Sequence, residues 1–127
     1  MPYDPMRQPA GPEWTGLDEG EQIALVSEYH RRARIKVPSL EVHAAMHVAV
    51  ENQRLMGDET PVAAALARLM AEGLDRHEAI HSVASVLIGV MSDAMKSPGN
   101  PTEAYYREVR ALTAASWLSQ PEDEAGP

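Results

Sequence analysis

Cysteine is absent from the 127 residues. Disulfides, thiolate zinc sites and a cysteine nucleophile are therefore excluded, and any metal must be held by nitrogen and oxygen. Phenylalanine is absent as well, and aromatic residues make up only 5% of the chain. No β-branched or aromatic run reads as a strand, whereas the abundant Ala, Leu and Met favour helix. Basic residues are few, 11 Lys and Arg against 19 Asp and Glu, for a formal charge of −8. Such a surface argues against nucleic-acid binding, because phosphate contacts need positive charge. No apolar run approaches membrane-spanning length. The N-terminal stretch MPYDPMRQPAGPEW lacks the apolar segment of a secretory signal. A cytoplasmic protein with no membrane or nucleic-acid partner is the expectation.

What remains is a chain long enough for one hydrophobic core. Residues 1–16 are rich in Pro and Gly and read as a flexible N-terminal arm. Residues 17–119 read as a single all-α domain, a small bundle of four to five helices, and residues 120–127 as a disordered acidic tail. The first helix begins at Leu17 or Asp18 and runs to about Ile35. Ser39 caps a second, which reaches Gly57. Thr60 and Pro61 open a third, closed by Gly73. Asp75-x-x-Glu78 has the pattern of a capping box for a fourth, extending to about Met95. Asn100-Pro101 opens a fifth, carrying Tyr105, Val109, Leu112 and Leu118. Trp14 and Trp117 are expected to cover the core.

Four of the five histidines fall in two pairs at helical spacing, His43-x-x-x-His47 and His77-x-x-x-His81. Residues four apart share a helix face about 6 Å apart along the axis, so both imidazoles of a pair can reach one ion. Random placement of five histidines gives two such pairs only about 1% of the time. On the second helix His43, His47 and Glu51 form one line inside an apolar arc that includes Met46 and Val50. A carboxylate directed at a core is costly unless it is paired or ligates a metal. The second pair sits at the edge of the arc formed by Ile80, Val83 and Leu87. It can join the first only if the two helices pack side by side.

The metal ligands expected from this pattern are His43, His47, His77 and His81, with Glu51 as a ligand or as a partner behind one. Four imidazoles in a tetrahedron suit structural zinc, and a carboxylate with open positions suits iron or another divalent metal. His30 lies on the apolar side of the first helix. A satisfied core histidine is the simpler reading there, and a fifth ligand or a partner behind a ligand is the alternative. His77-Glu78-Ala79-Ile80-His81 also spells His-Glu-x-x-His, in which two histidines bind zinc and the glutamate is general base. Against a hydrolase, Glu78 is needed as a helix cap, it projects about 100° from His77, and no strand is available to bind a peptide. The basic run Arg31, Arg32, Arg34 and Lys36 reads as a solvated helix end that complements the dipole.

The segment from about Leu40 to Met91 resembles a family of small bacterial proteins with no assigned activity, which pair a His-x-x-x-His with a downstream His-Glu-Ala-x-His. The positions that carry the resemblance are His43, His47, Glu51, Gln53, Pro61, His77, Glu78, Ala79 and His81. What it implies is a small helical domain. A looser likeness to hemerythrin-type bundles implies histidine and carboxylate ligands on several helices, although this chain has no counterpart for their full ligand set. Two further classes stay open: a non-metal interaction or self-association module with structural histidines, and the hydrolase. A homodimer is compatible with the Met content, but no heptad seam requires one. The pattern names no small-molecule substrate.

Overall fold

The computed structural model describes residues 2–9 and 11–120. These form seven α-helices and no strand: α1 (Gly11–Thr15), α2 (Glu19–Arg32), α3 (Leu40–Leu55), α4 (Val62–Ala71), α5 (Arg76–Ala94), α6 (Pro101–Ala111) and α7 (Ala114–Leu118). A single 3-10 turn, Gly57–Glu59, links α3 to α4. The architecture is all-α, and no helix is long and apolar enough to cross a membrane. The acidic tail from Pro121 lies outside the described residues.

Local chemistry sets the helix ends. Asp18 and Glu21 cap α2 reciprocally, each side chain accepting from the other's backbone N–H. Ser39 accepts from Val42 N at the start of α3, and Asn100 accepts from two amides at the start of α6. Each such cap is worth about 1 kcal/mol. After α4, Gly73 adopts φ 114°, and paired bonds from Gly73 N to Met70 O and Leu74 N to Leu69 O close the helix end. The same device ends α2, but with Arg34 in the left-handed region at φ 58°. There Ile35 N reaches back to the carbonyl of His30 at 3.0 Å. A non-glycine residue in that conformation costs about 1–2 kcal/mol, so the end of the His30-bearing helix is held against strain.

Three expectations need correction. The single fifth helix is two, because Leu112 leaves the helical region at ψ 134° and Thr113 and Ser116 build a new capping box. Asp75 caps α5 by accepting from Glu78 N at 2.8 Å, but the Glu78 carboxylate does not return the bond. It accepts instead from Trp117 Nε1 at 3.2 Å. The N-terminal stretch also does more than lead into the bundle. Tyr3 is 2% exposed and Trp14 is fully buried, both packed with Val26, Ala44 and Val48 from α2 and α3. Trp14 Nε1 donates to Asn52, Asn52 to Gln22, and Gln22 back to the Trp14 carbonyl, so α1, α2 and α3 are tied by a closed ring of hydrogen bonds. A second core joins Val50 of α3 to Leu66 and Leu69 of α4, Ile80 and Val83 of α5 and Tyr105 and Val109 of α6. Helix α3 contributes to both cores, with α2 and α5 packed against it. That packing brings all the histidine-bearing helices together.

Candidate metal centre

All five histidines converge. His30 comes from α2, His43 and His47 from α3, and His77 and His81 from α5. His30, His47, His77 and His81 each offer a ring nitrogen within 4.8 Å of the others'. His43 adjoins them, its Nε2 lying 3.1 Å from His81 Nε2, while His47 Nε2 lies 2.9 Å from the same atom. The side-by-side packing on which the two pairs depended is therefore present. Depth divides the group differently from the expectation, which placed the whole α5 pair at the edge. His30, His47 and His81 are buried, and His43 and His77, one from each pair, are half-buried. His81 is covered by His43 and His47 of α3, whose Nε2 atoms lie 3.1 and 2.9 Å from its own, whereas His77 stays half-buried.

Hydrogen bonds behind the rings fix which nitrogens face inward. His30 Nδ1 lies 2.9 Å from the Val26 carbonyl, which can only accept, so the proton is on Nδ1 and the Nε2 lone pair is left free. That Nε2 is buried and makes no hydrogen bond among the described residues, nor does His77 Nε2. His47 is fixed through a longer chain. The single phenolic proton of Tyr3 goes to Glu51 Oε2 at 2.7 Å, so the Tyr3 oxygen accepts from His47 Nδ1–H at 3.1 Å. His47 Nε2 is thus also a bare lone pair. The two contacts at His81 Nε2 then cannot both be hydrogen bonds. One proton on His81 serves one neighbour and leaves the other nitrogen facing it without a donor. Converging imidazole lone pairs short of protons are the electronic arrangement that a cation satisfies.

Further protons do not resolve the shortage. Burial, followed by the charge of neighbouring imidazoles, lowers His43 to about 4 and His81 to about 2, and takes His47 well below its ordinary value. His77 is lowered to about 4 by burial and by His30. His30 is also lowered, chiefly by burial, with the Val26 carbonyl opposing. At neutral pH the five rings are uncharged and available as ligands.

Glu51, expected as a ligand or as a partner behind one, occupies the second position. It is fully buried, and Arg76 holds it with two hydrogen bonds of 2.6 and 2.8 Å. Arg54 adds a third contact at 3.6 Å. Glu51 reaches the histidines through Tyr3, whose phenol is pushed well above its usual range by burial and by the Glu51 carboxylate, and so remains a donor. Arg76 also donates to the Pro5 carbonyl at 3.0 Å, which anchors the N-terminal segment beside the cluster. Glu78 takes no part, since Trp117 engages its carboxylate on another side of α5. The basic run at the end of α2 stays exposed, Arg31 and Arg32 making only long contacts to Glu28.

Sequence reasoning weighed His30 mainly as a core histidine and missed Tyr3 and Arg76. For His30 there was one usable signal: it lies four residues after Val26 on the apolar side, where Nδ1 can bond back to the carbonyl one turn earlier. Tyr3 and Arg76 gave none, because both act through contacts at least 25 residues away in the chain. No family model, curated protein or solved structure matches this chain.

Proposed function

We propose that this protein binds one divalent first-row transition metal through its histidine cluster. The carrying observation is the inward convergence of imidazole nitrogens whose outer nitrogens are held by Val26 and by the Tyr3–Glu51–Arg76 chain. Metal-bound histidines ordinarily have such partners behind them, which set the tautomer and the ring direction. The buried Nε2 atoms of His30 and His77, without hydrogen-bond partners among the described residues, support the same reading. The donor set is uniformly imidazole, which suits iron, nickel, copper and zinc and disfavours calcium and magnesium. A bound ion would supply Lewis acidity.

Ring spacing favours an iron-like, six-coordinate metal over tetrahedral structural zinc. With metal–nitrogen bonds of about 2.1 Å, ring centroids stand about 4.5 Å apart at right angles and about 5.2 Å apart in a tetrahedron. His43 with His81 and His30 with His43 give 4.8 and 4.7 Å, and His47 stands 4.8 to 5.2 Å from the other four rings. His30 with His81 gives 6.4 Å, a separation that rings on opposite sides of one ion have and a tetrahedron does not. The 2.9 and 3.1 Å nitrogen separations likewise match the about 3.0 Å edge of an octahedron. The hydrogen-bonded module without metal accounts for these contacts less well, because His81 has too few protons for both.

Elemental analysis of protein purified without chelator or added metal tests this reading. The expected result is close to one equivalent of a single transition metal, with a fall in melting temperature on chelation. Less than about 0.2 equivalents of any metal, with melting indifferent to chelator and to added Fe(II), Co(II) or Zn(II), contradicts it.

A further inference from the structure

The five rings are arranged as a square pyramid. His47 stands at a similar distance from each of the other four, with centroid separations of 4.8 Å to His30, 5.0 Å to His43, 5.2 Å to His77 and 4.9 Å to His81. Those four form a circuit with sides of 4.7 Å (His30–His43), 4.8 Å (His43–His81), 4.2 Å (His81–His77) and 5.6 Å (His77–His30). One diagonal, His30 to His81, measures 6.4 Å. Two rings on opposite sides of one ion are expected about 6.4 Å apart, and neighbouring rings about 4.5 Å. His47 is the apex, and no sixth imidazole stands opposite it.

Charge points to the same open position. Five neutral imidazoles leave the whole charge of a divalent ion uncompensated, and a buried uncompensated charge is costly. No carboxylate belongs to the converging group among the described residues. Glu51, the one buried carboxylate nearby, is already neutralised by Arg76, with Arg54 adding positive charge. Asp4 and Asp75 act on His77 from outside the group without joining it, so no carboxylate of the described residues can sit on the ion itself.

We infer that the centre, once it holds its metal as proposed above, takes a small exogenous anion at the sixth position, opposite His47. The inference rests on the metal-binding reading. The half-buried His43 and His77 mark the sides on which the cluster meets solvent.

The test uses Co(II) as a spectroscopic ion in the full chain, followed by titration with azide. One equivalent of cobalt is expected to develop visible bands, and azide to shift them saturably with one azide per cobalt. In His43→Glu a carboxylate enters the ligand set, and azide affinity is expected to drop at least about ten-fold while cobalt is retained. Cobalt binding with bands that azide leaves unchanged overturns this inference and spares the metal reading. Failure of cobalt to bind at all overturns the metal reading and this inference together. If His43→Glu does not fold, the wild-type titration decides alone.

Discussion

Acidification from pH 7 to pH 5 is expected to unfold the metal-free protein. Every histidine in the cluster has a folded-state pKa below its ordinary 6.5. Below pH 6.5 the unfolded chain takes up protons that the folded chain refuses, so stability is complete above that pH. It is lost as pH falls toward the values of about 4 for His43 and His77 and continues to fall toward about 2 for His81. At pH 5 a group shifted this far costs about 2 kcal/mol. Counting the half-buried His43 and His77 at half weight for solvent screening, these two and His81 together remove about 4 kcal/mol. His30 and His47 add to that loss in the same direction. The sum approaches the whole stability of a domain of this size. Thermal melts of the metal-free chain across this range check it, and bound metal should move the transition to lower pH by competing with protons. A melting temperature that stays level between pH 7 and pH 5 would show that the rings protonate without cost and do not form a buried cluster.

Substitution of Glu51 by Ala is expected to be the most damaging single change, at roughly 3–5 kcal/mol. It strands the Arg76 guanidinium, which is 5% exposed, and removes the acceptor of the Tyr3 phenol. Tyr3→Phe, which removes only the hydroxyl between Glu51 and His47, should cost about 1–3 kcal/mol. The paired change Glu51→Leu with Arg76→Met should recover most of the lost stability, because an apolar pair can replace a buried ion pair. It should not restore metal affinity, because Tyr3 then has no carboxylate to receive its proton and His47 loses its fixed tautomer. Denaturant unfolding of the variants, alongside cobalt titration, separates the two effects. Full metal affinity in the doubly substituted protein would show that the Tyr3–Glu51 chain does not set the ligand.

The helices were legible in the sequence wherever an end was written in local chemistry. Ser39, Asp75 and Asn100 cap as expected, Asp18 caps the helix expected to begin there or at Leu17, and Gly73 closes α4. The break at Leu112 was not legible by periodicity, since Tyr105, Val109, Leu112 and Leu118 fit one apolar stripe. The signal was Thr113 with Ser116, a capping box inside that stripe. The candidate site was legible as far as spacing along one helix could take it. His43, His47, His77 and His81 are named by their intervals, and their meeting follows once α3 and α5 pack together. His30 is alone on α2, so no interval marks it. Tyr3 sits in a Pro-rich stretch whose composition hides its burial. Glu51 was legible as a buried carboxylate needing a partner, but that partner could not be read as Arg76 because nothing local links α3 to the start of α5.

X-ray absorption at the edge of the bound metal tests the central claim most directly, that the five imidazoles converge on one ion. The account predicts a shell of nitrogen or oxygen at about 2.1 Å with the outer-ring scattering of four to five imidazoles, and loss of roughly one imidazole in His30→Ala. A first shell of oxygen with two or fewer imidazoles, unchanged by His30→Ala, would contradict it.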